Sequence, residues 1–253
     1  MHPTELELLG IQAEASFDPR GRIIGLYGIT IHCSEAGQAL WIGADVPRGL
    51  ASELTATFDR AGPSRHPGEP PAALAPCARL LDTAGRSLRR AAGPSFLITP
   101  DTRFASDLHI ERSDASNTAA LRDANPGNWL PVEWDELLDG RLGPWAIATE
   151  GTVVVSICHT PGPPTARAAE CGVWTLPGFR GRGYAAAVTA AWAALLRPSG
   201  RYLFYSTDAD NHSSQGVARR LNLHPLGWIW RLGTPRASED AGVHPLCSLR
   251  QRR

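Results

Sequence analysis

The sequence Arg180-Gly181-Arg182-Gly183-Tyr184-Ala185 joins an apolar segment, residues 170–176, to an alanine-rich segment, residues 184–196. The first segment predicts a β-strand and the second predicts an α-helix. Glycine accepts positive φ angles, so consecutive N–H groups of the joining loop can point into one concavity at the positive end of the helix dipole. We therefore expect an anion such as a phosphate to bind at this loop.

Two arginines distinguish this loop from a plain helix-capping turn. Arg180 and Arg182 can place guanidinium groups on a pyrophosphate or a 3′-phosphate. A Rossmann fingerprint starting at Gly181 would need glycine at position 186, which is alanine, and no Gly-Lys-Ser/Thr of a P-loop is present. The alternative interpretation is a structural turn without a ligand.

The residues around the loop resemble the GNAT superfamily of acyl-CoA-dependent N-acetyltransferases. The phosphate loop of that family reads Arg/Gln-x-x-Gly-x-Gly/Ala, and Arg180, Gly183 and Ala185 stand at its fixed positions. The strand before the loop ends near a proline, Pro177, as is usual in the family. The resemblance extends from about residue 152 to residue 230.

The segments after the loop follow the order of the same family. They are an apolar strand at residues 201–207, an asparagine at position 211 and a helix that continues to Arg220. Asn222-Leu223 stands where the family usually has Gly-Phe. This departure is small, because asparagine also accepts the left-handed conformation at a helix C-terminus.

The resemblance implies a fold and an acyl donor. We expect an α/β fold in which a mixed, mostly antiparallel twisted sheet flanked by helices forms residues 111–253. A small α/β N-terminal unit, residues 1–110, is expected to be a substrate cap or a degenerate GNAT-like half. The donor implied is acetyl-CoA, and no metal is implied. The residues that the resemblance assigns to binding the donor are Val173, Trp174, Thr175, Arg180, Gly181, Arg182, Gly183, Tyr184, Ala185, Asn211 and Ser214.

Three residues are candidates for acid–base chemistry. A glutamate on the strand before the loop often acts as general base in this family, and Glu170 is the matching residue. His159, at the end of the preceding strand, is a second candidate base. The tyrosine that often protonates the leaving thiolate is replaced by Ala218. The hydroxyl residues nearby are Ser213, Ser214, Tyr202 and Tyr205, and spacing assigns none of them as the acid; of these we take Ser214 as the candidate. Each of these residues also has a purely structural alternative.

The rest of the chain predicts a small mixed α/β arrangement before residue 98. Apolar segments at residues 22–33, 39–43 and 95–98 predict strands, and a helix is expected to begin at Pro47. A proline-rich loop and a brief helix at residues 78–81 follow that first helix. The tryptophans 129, 134 and 145 predict either packing between the two units or an aromatic substrate wall.

Composition excludes several classes of protein. The formal net charge is zero, and a single Arg-Gly run lacks the basic surplus and aromatic platforms of a nucleic-acid-binding protein. The five cysteines have no CxxC spacing, so neither a disulfide framework nor a zinc site is predicted. All 25 basic residues are arginine, which together with abundant alanine indicates a GC-rich, bacterial genome.

The expected location is the cytoplasm. No apolar stretch reaches membrane-spanning length, and the first residues lack the features of a signal peptide. We expect an enzyme that acetylates a primary amine of a small molecule or peptide. The alternative is a catalytically inactive acyl-CoA-binding or interaction protein. The segment Trp228-Ile229-Trp230 is expected to pack under the coenzyme or against a second copy of the chain in a homodimer.

Overall fold

The computed structural model describes residues 2–64, 66–82, 88–115, 118–162 and 164–233. These residues divide into two compact units. The first unit contains described residues up to 96, together with residues 206–211 and 225–233, and the second contains residues 97–205 and 212–224. The domain boundary expected near residue 110 stays a prediction.

The described residues form seven α-helices and ten β-strands. The helices are α1 (Glu5–Ala13), α2 (Arg48–Ala61), α3 (Leu74–Leu81), α4 (Ala119–Arg122), α5 (Pro131–Leu138), α6 (Tyr184–Leu196) and α7 (His212–Arg220). The strands are β1 (Ile29–Ser34), β2 (Gly37–Ile42), β3 (Arg89–Ile98), β4 (Ile110–Arg112), β5 (Trp145–Glu150), β6 (Val153–His159), β7 (Ala168–Glu170), β8 (Gly172–Thr175), β9 (Tyr202–Ser206) and β10 (His224–Gly233). None of these helices has the length and apolar character needed to span a lipid bilayer.

The first unit is a sheet covered by helices. Its strands lie in the order β2-β1-β10-β3, and β1 is antiparallel to both of its neighbours. The buried side chains of β1 pack against α2 and α3 through Leu54 and Cys77. Trp228 and Trp230 stack on one another, and the indole N–H of Trp230 donates to the carbonyl of Pro67 at 3.1 Å. These two tryptophans therefore pack against the proline-rich loop of their own unit.

The second unit contains a four-stranded sheet in the order β4-β5-β6-β8 and a parallel pair formed by β7 and β9. The antiparallel ladders β4–β5, β5–β6 and β6–β8 make this sheet antiparallel throughout. Trp134 and Trp145 are fully buried in its core, and Trp129 packs against the same cluster. The three tryptophans thus pack inside the second unit. The predicted mixed, mostly antiparallel α/β fold is confirmed.

Several predicted boundaries differ from the observed ones. The strand predicted at residues 22–33 begins only at Ile29, and the strand predicted at 95–98 begins at Arg89. The brief helix predicted at residues 78–81 begins at Leu74. The helix predicted at residues 184–196 is α6, which has the same bounds. The C-terminal cysteine, Cys247, lies outside the described residues, and the other four are buried free thiols.

Candidate functional site

Two glycines shape the loop between β8 and α6. Gly181 and Gly183 have φ angles of 79° and 95°, which residues with a Cβ rarely adopt. Gly183 is the N-cap of α6, and its carbonyl accepts the N–H of Ala187 at 3.0 Å. The N–H groups of residues 184–186 therefore have no partner within the helix and lie at the positive end of its dipole. A helix terminus of this kind favours negatively charged groups.

The two predicted arginines of the loop are exposed and held near it by local contacts. The Nε of Arg180 donates to the carbonyl of Thr175 at 3.3 Å. The guanidinium carbon of Arg182 lies 5.1 Å from the ring centroid of Phe179, which is within cation–π distance. Both cations are therefore available to an anion bound at the start of α6.

A third arginine reaches the loop from the end of α7. The Nη1 of Arg220 donates to the carbonyl of Gly181 at 3.4 Å. The ring of Phe104 lies beside the other glycine, because a Cβ built on Gly183 would be 3.4 Å from its Cζ. Sequence reasoning assigned no role to Arg220 or Phe104. The only sequence feature that indicates a basic group at this end of α7 is the pair Arg219-Arg220.

The side chain of Tyr184 is buried and hydrogen-bonded within the protein. Its hydroxyl donates to a carboxylate oxygen of Glu150, and this hydrogen bond raises the pKa of the phenol. Only 4% of the residue is exposed. Tyr184 can thus contribute its backbone N–H to an anion site, while its side chain anchors the first turn of α6 to the end of β5.

The segment at residues 170–176, predicted to be one strand, spans the junction of two strands with different partners. β7 runs parallel to β9, and Glu170 is the last residue of that ladder, opposite Phe204. The N–H of Cys171 then donates to the carbonyl of Phe204 at 3.0 Å. β8 continues as an antiparallel partner of β6. The chain therefore leaves β9 at Cys171, and the prediction of one strand over residues 170–176 was wrong.

The register of β8 leaves part of its backbone directed away from β6. The N–H of Leu176 donates to the carbonyl of Val155 at 2.8 Å, and hydrogen-bonded pairs alternate along an antiparallel ladder. Trp174 therefore faces β6 with its backbone polar groups, whereas Val173 and Thr175 direct theirs to the other side. The backbone groups of Val173 and the N–H of Thr175 are therefore oriented for hydrogen bonds with a ligand, whereas the carbonyl of Thr175 accepts from Nε of Arg180.

The two candidate bases have different environments. Glu170 ends β7 at the point where the chain parts from β9, and its side chain is half-buried. His159 ends β6, and only 6% of it is exposed. Its ring lies edge-on to Trp129, with 5.0 Å between centroids. Burial lowers the pKa of His159 to about 4, so the imidazole is neutral at pH 7 and weakly basic.

The candidate acid, Ser214, lies in the first turns of α7 next to a buried phenol. Its Oγ is 2.6 Å from the hydroxyl oxygen of Tyr205 on β9. Ala218, in the position where the family often has tyrosine, is 1% exposed. Asn211 precedes α7 and belongs to the first unit, where its N–H donates to the carbonyl of Asp208 at 3.1 Å. The other predicted site residues all belong to the second unit.

No group of three or more His, Cys, Asp or Glu side chains in the described ranges is arranged to hold a metal ion. The site consists instead of helix-terminal N–H groups, arginines, an open strand backbone and a few hydroxyl and carboxyl groups. Such an arrangement can bind a phosphorylated molecule at the loop and an extended, amide-containing chain along β8.

Solved structures similar to this chain include several GNAT proteins. One is a GNAT-family protein from Novosphingobium aromaticivorans, with 20% identity, coverage of 60% of this chain and 69% of the other, and a TM-score of 0.44. A GCN5-related N-acetyltransferase-like protein from Streptococcus suis has 18% identity, coverage of 62% and 67%, and a TM-score of 0.42. A GNAT-family acetyltransferase from Colwellia psychrerythraea has 12% identity, coverage of 87% and 84%, and a TM-score of 0.48.

The sequence comparison is more specific. A search among curated proteins finds no match. The family model described as an acetyltransferase (GNAT) domain matches residues 95–224, which is just over half of the chain. This match includes the glycine loop, the divided strand and α7. The chain therefore belongs to the GNAT acetyltransferase family.

Proposed function

We propose that this protein transfers an acetyl group from acetyl-CoA to a primary amine of a small molecule or peptide. Membership of the GNAT family implies use of an acyl-CoA. The choice of acetyl as the acyl group and of an amine as the acceptor is part of the proposal. We also propose that the protein is bacterial and that it acts in the cytoplasm.

The observation that carries the proposal is the continuity of the open strand with the glycine loop. The backbone groups of Val173 and Thr175 that face away from β6 lie directly upstream of the loop at the start of α6. Coenzyme A has a pyrophosphate joined to a chain with two amides. The loop suits the pyrophosphate, and the open backbone of β8 suits the amides of the arm.

The general base in the proposed reaction is Glu170. The bound amine must be neutral to attack the thioester carbonyl, and it loses a proton as the new C–N bond forms. Glu170 lies beside Cys171, where the chain leaves β9. In the proposed mechanism its carboxylate takes this proton, directly or through a water molecule.

The alternative is a protein that binds an acyl-CoA without turnover. The observation that favours it is Ala218, a buried side chain without a proton donor in the position of the usual acid. A coenzyme A thiolate is nevertheless a good leaving group, and positioning alone accounts for much of the acceleration in many enzymes.

Release of free coenzyme A distinguishes the two functions. The purified protein is incubated with acetyl-CoA and a panel of amines that includes polyamines, amino acids, aminoglycosides and peptides with a free N-terminus. Amine-dependent release that Glu170→Gln reduces supports the transferase. Binding of acetyl-CoA without release by any amine in the panel supports the alternative.

A further inference from the structure

Three buried polar atoms of the second unit have no hydrogen-bond partner among the described residues. They are Nε1 of Trp129, Nε1 of Trp145 and Nδ1 of His159. Buried polar groups of folded proteins are nearly always hydrogen-bonded, because an unpaired one has lost its water without replacing it. Three such atoms in one part of the fold therefore indicate a partner that the chain itself does not supply.

The three side chains lie together on one face of the sheet. Trp145 and His159 are opposite one another in the ladder between β5 and β6, so both point to the same face. The ring of Trp129 lies edge-on to His159, with 5.0 Å between centroids, and packs against the cluster that contains Trp145. The neighbouring Trp134 differs, because its Nε1 donates to the carbonyl of Leu121 at 2.9 Å.

The same row of the sheet reaches the point where the chain leaves β9. His159 is opposite Gly172, the first residue of β8. Gly172 has no positive φ, but a Cβ built on it would be 3.4 Å from Cε1 of His159 and would press against the imidazole. Glycine at this position therefore provides space beside the imidazole.

The row also lies at the expected end of the coenzyme arm. From Thr175 back to Gly172, β8 spans about 10 Å at the usual rise per residue. An arm that starts at the glycine loop and follows the open backbone of β8 therefore brings its acyl group toward Gly172. The acyl acceptor must bind beside that group, which places it next to His159 and Trp129.

The unpartnered atoms favour a neutral ligand group that both accepts and donates. An indole N–H can only donate, whereas Nδ1 of a neutral imidazole accepts in the tautomer with its proton on Nε2. Burial lowers the pKa of His159 to about 4, which shows that these surroundings disfavour charge. They would equally disfavour a carboxylate or a second ammonium group. An amide is neutral, and it has a carbonyl oxygen for the indole and an N–H for the imidazole.

We propose that Trp129 and His159 bind an amide group of the acyl acceptor, so that the protein acetylates an amine that carries a neutral amide close to its amino group. This inference rests on the proposed function and narrows its acceptor. Nε1–H of Trp129 donates to the amide oxygen, and the amide N–H donates to Nδ1 of His159. The oxygen has a second lone pair, which suits the other indole donor, Trp145.

The test compares amines of equal shape. Glycinamide and β-alaninamide each have two isosteres: a carboxylate, glycine or β-alanine, and a branched alkylamine, isobutylamine or isopentylamine. The value of kcat/KM is measured from release of free coenzyme A and is calculated per neutral amine, since the amine pKa values differ. At least one amide should exceed both of its isosteres by about 10–100-fold, because an isostere leaves buried polar groups unpaired.

Single substitutions assign this preference to the two residues. Trp129→Phe keeps an aromatic ring without the N–H, and His159→Phe keeps a ring without Nδ1. Each should reduce the preference for the amide about tenfold and leave kcat/KM for the alkylamine nearly unchanged. The matched control is Trp134→Phe, the same change in an indole whose N–H already has a partner, and it should retain the preference. Thermal unfolding of each variant shows that it is folded before assay.

Nuclear magnetic resonance provides a readout that requires no turnover. The product N-acetyl-β-alaninamide is added to isotope-labelled protein with coenzyme A present. The indole N–H resonance of Trp129, identified by its loss in Trp129→Phe, should shift. The resonance of Trp134 should stay in place.

The outcomes that overturn the inference are distinguishable. Binding of acetyl-CoA without release by any amine refutes the proposed function and this inference with it. Release with equal kcat/KM for the amides and their alkylamine isosteres, and an unmoved Trp129 resonance, refutes only the amide-bearing acceptor. A preference that survives in both Trp129→Phe and His159→Phe refutes the assignment of amide binding to these residues.

Discussion

Adding a methyl group to either positive-φ glycine of the loop should weaken coenzyme binding by a calculable amount. A left-handed backbone costs a residue with a Cβ roughly 1–2 kcal/mol. Gly181→Ala and Gly183→Ala are expected to relieve this strain in the free protein by rotating the loop N–H groups out of their concavity. Binding must then restore the strained backbone, so Kd for acetyl-CoA should rise about 5–30-fold.

The two variants differ in their surroundings, which gives a second, independent expectation. A Cβ on Gly181 meets no atom within 4 Å, whereas a Cβ on Gly183 lies 3.4 Å from Phe104. Where the backbone cannot relax, the strain appears instead as lost stability, equivalent to a fall in Tm of about 2–8 °C for a chain of this size. We expect the larger fall for Gly183→Ala.

Calorimetric titration with acetyl-CoA and thermal unfolding measure both quantities. Gly178→Ala is the matched control, since Gly178 lies in the same segment, has no positive φ and has open space at its Cβ. It should leave Kd unchanged. Equal affinities for the wild type and all three variants would refute the assignment of the loop to the pyrophosphate.

Further predictions concern the base, the third arginine and a buried histidine. Glu170→Gln should lower turnover most near neutral pH and less at high pH, where more of the amine is already neutral; an equal loss at every pH would indicate packing instead. Arg220→Gln should raise Kd for acetyl-CoA several-fold and reduce its salt dependence. Arg219→Gln, an equal charge change one residue earlier, is the control, and identical effects of the two would exclude a specific contact. Because burial lowers the pKa of His159 from 6.5 to about 4, the unfolded chain takes up a proton at higher pH than the folded one. The contribution of His159 to stability is therefore complete above pH 6.5 and falls by up to about 3 kcal/mol toward pH 4. In His159→Phe the free energy of unfolding, measured with denaturant, should fall less steeply as the pH is lowered from 6.5 to 4. The same steepness in the variant and the wild type would contradict the burial argument.

The parts of the fold that the sequence predicted well have strong local signals. The bounds of α6 follow from an uninterrupted alanine-rich segment between a glycine N-cap and Pro198. The left-handed conformation expected at the end of α7 is present in Asn222, which has a φ of 50°. In both cases the residue types near the helix end favour one backbone conformation.

Two helices escaped sequence prediction even though their signals were present. α1 starts with a capping box in which Thr4 and Glu7 exchange hydrogen bonds. α5 starts with Pro131 at its first position and Glu133 near its N-terminus. Both patterns are recognisable in the sequence, but short helices with weakly periodic apolar residues are easily taken for loops.

The position at which the strand divides, Cys171, could not be predicted from sequence patterns, and neither could the contacts of Arg220 and Tyr205. The strand alternates in a way that fits one continuous strand, and only its two different partners, β6 and β9, divide it. Arg220 and Tyr205 reach Gly181 and Ser214 across 39 and 9 residues of sequence. Contacts of this kind depend on tertiary packing and leave no local pattern.

The measurement that tests the central claim most directly is calorimetric titration of the purified protein with acetyl-CoA, with adenosine diphosphate as the control for generic anion binding. The glycine loop and the open backbone of β8 together predict micromolar binding of acetyl-CoA and much weaker binding of the diphosphate, because only the coenzyme carries the arm that β8 would hold. Absence of binding, or equal affinity for both ligands, would contradict the proposal that this site holds an acyl-CoA.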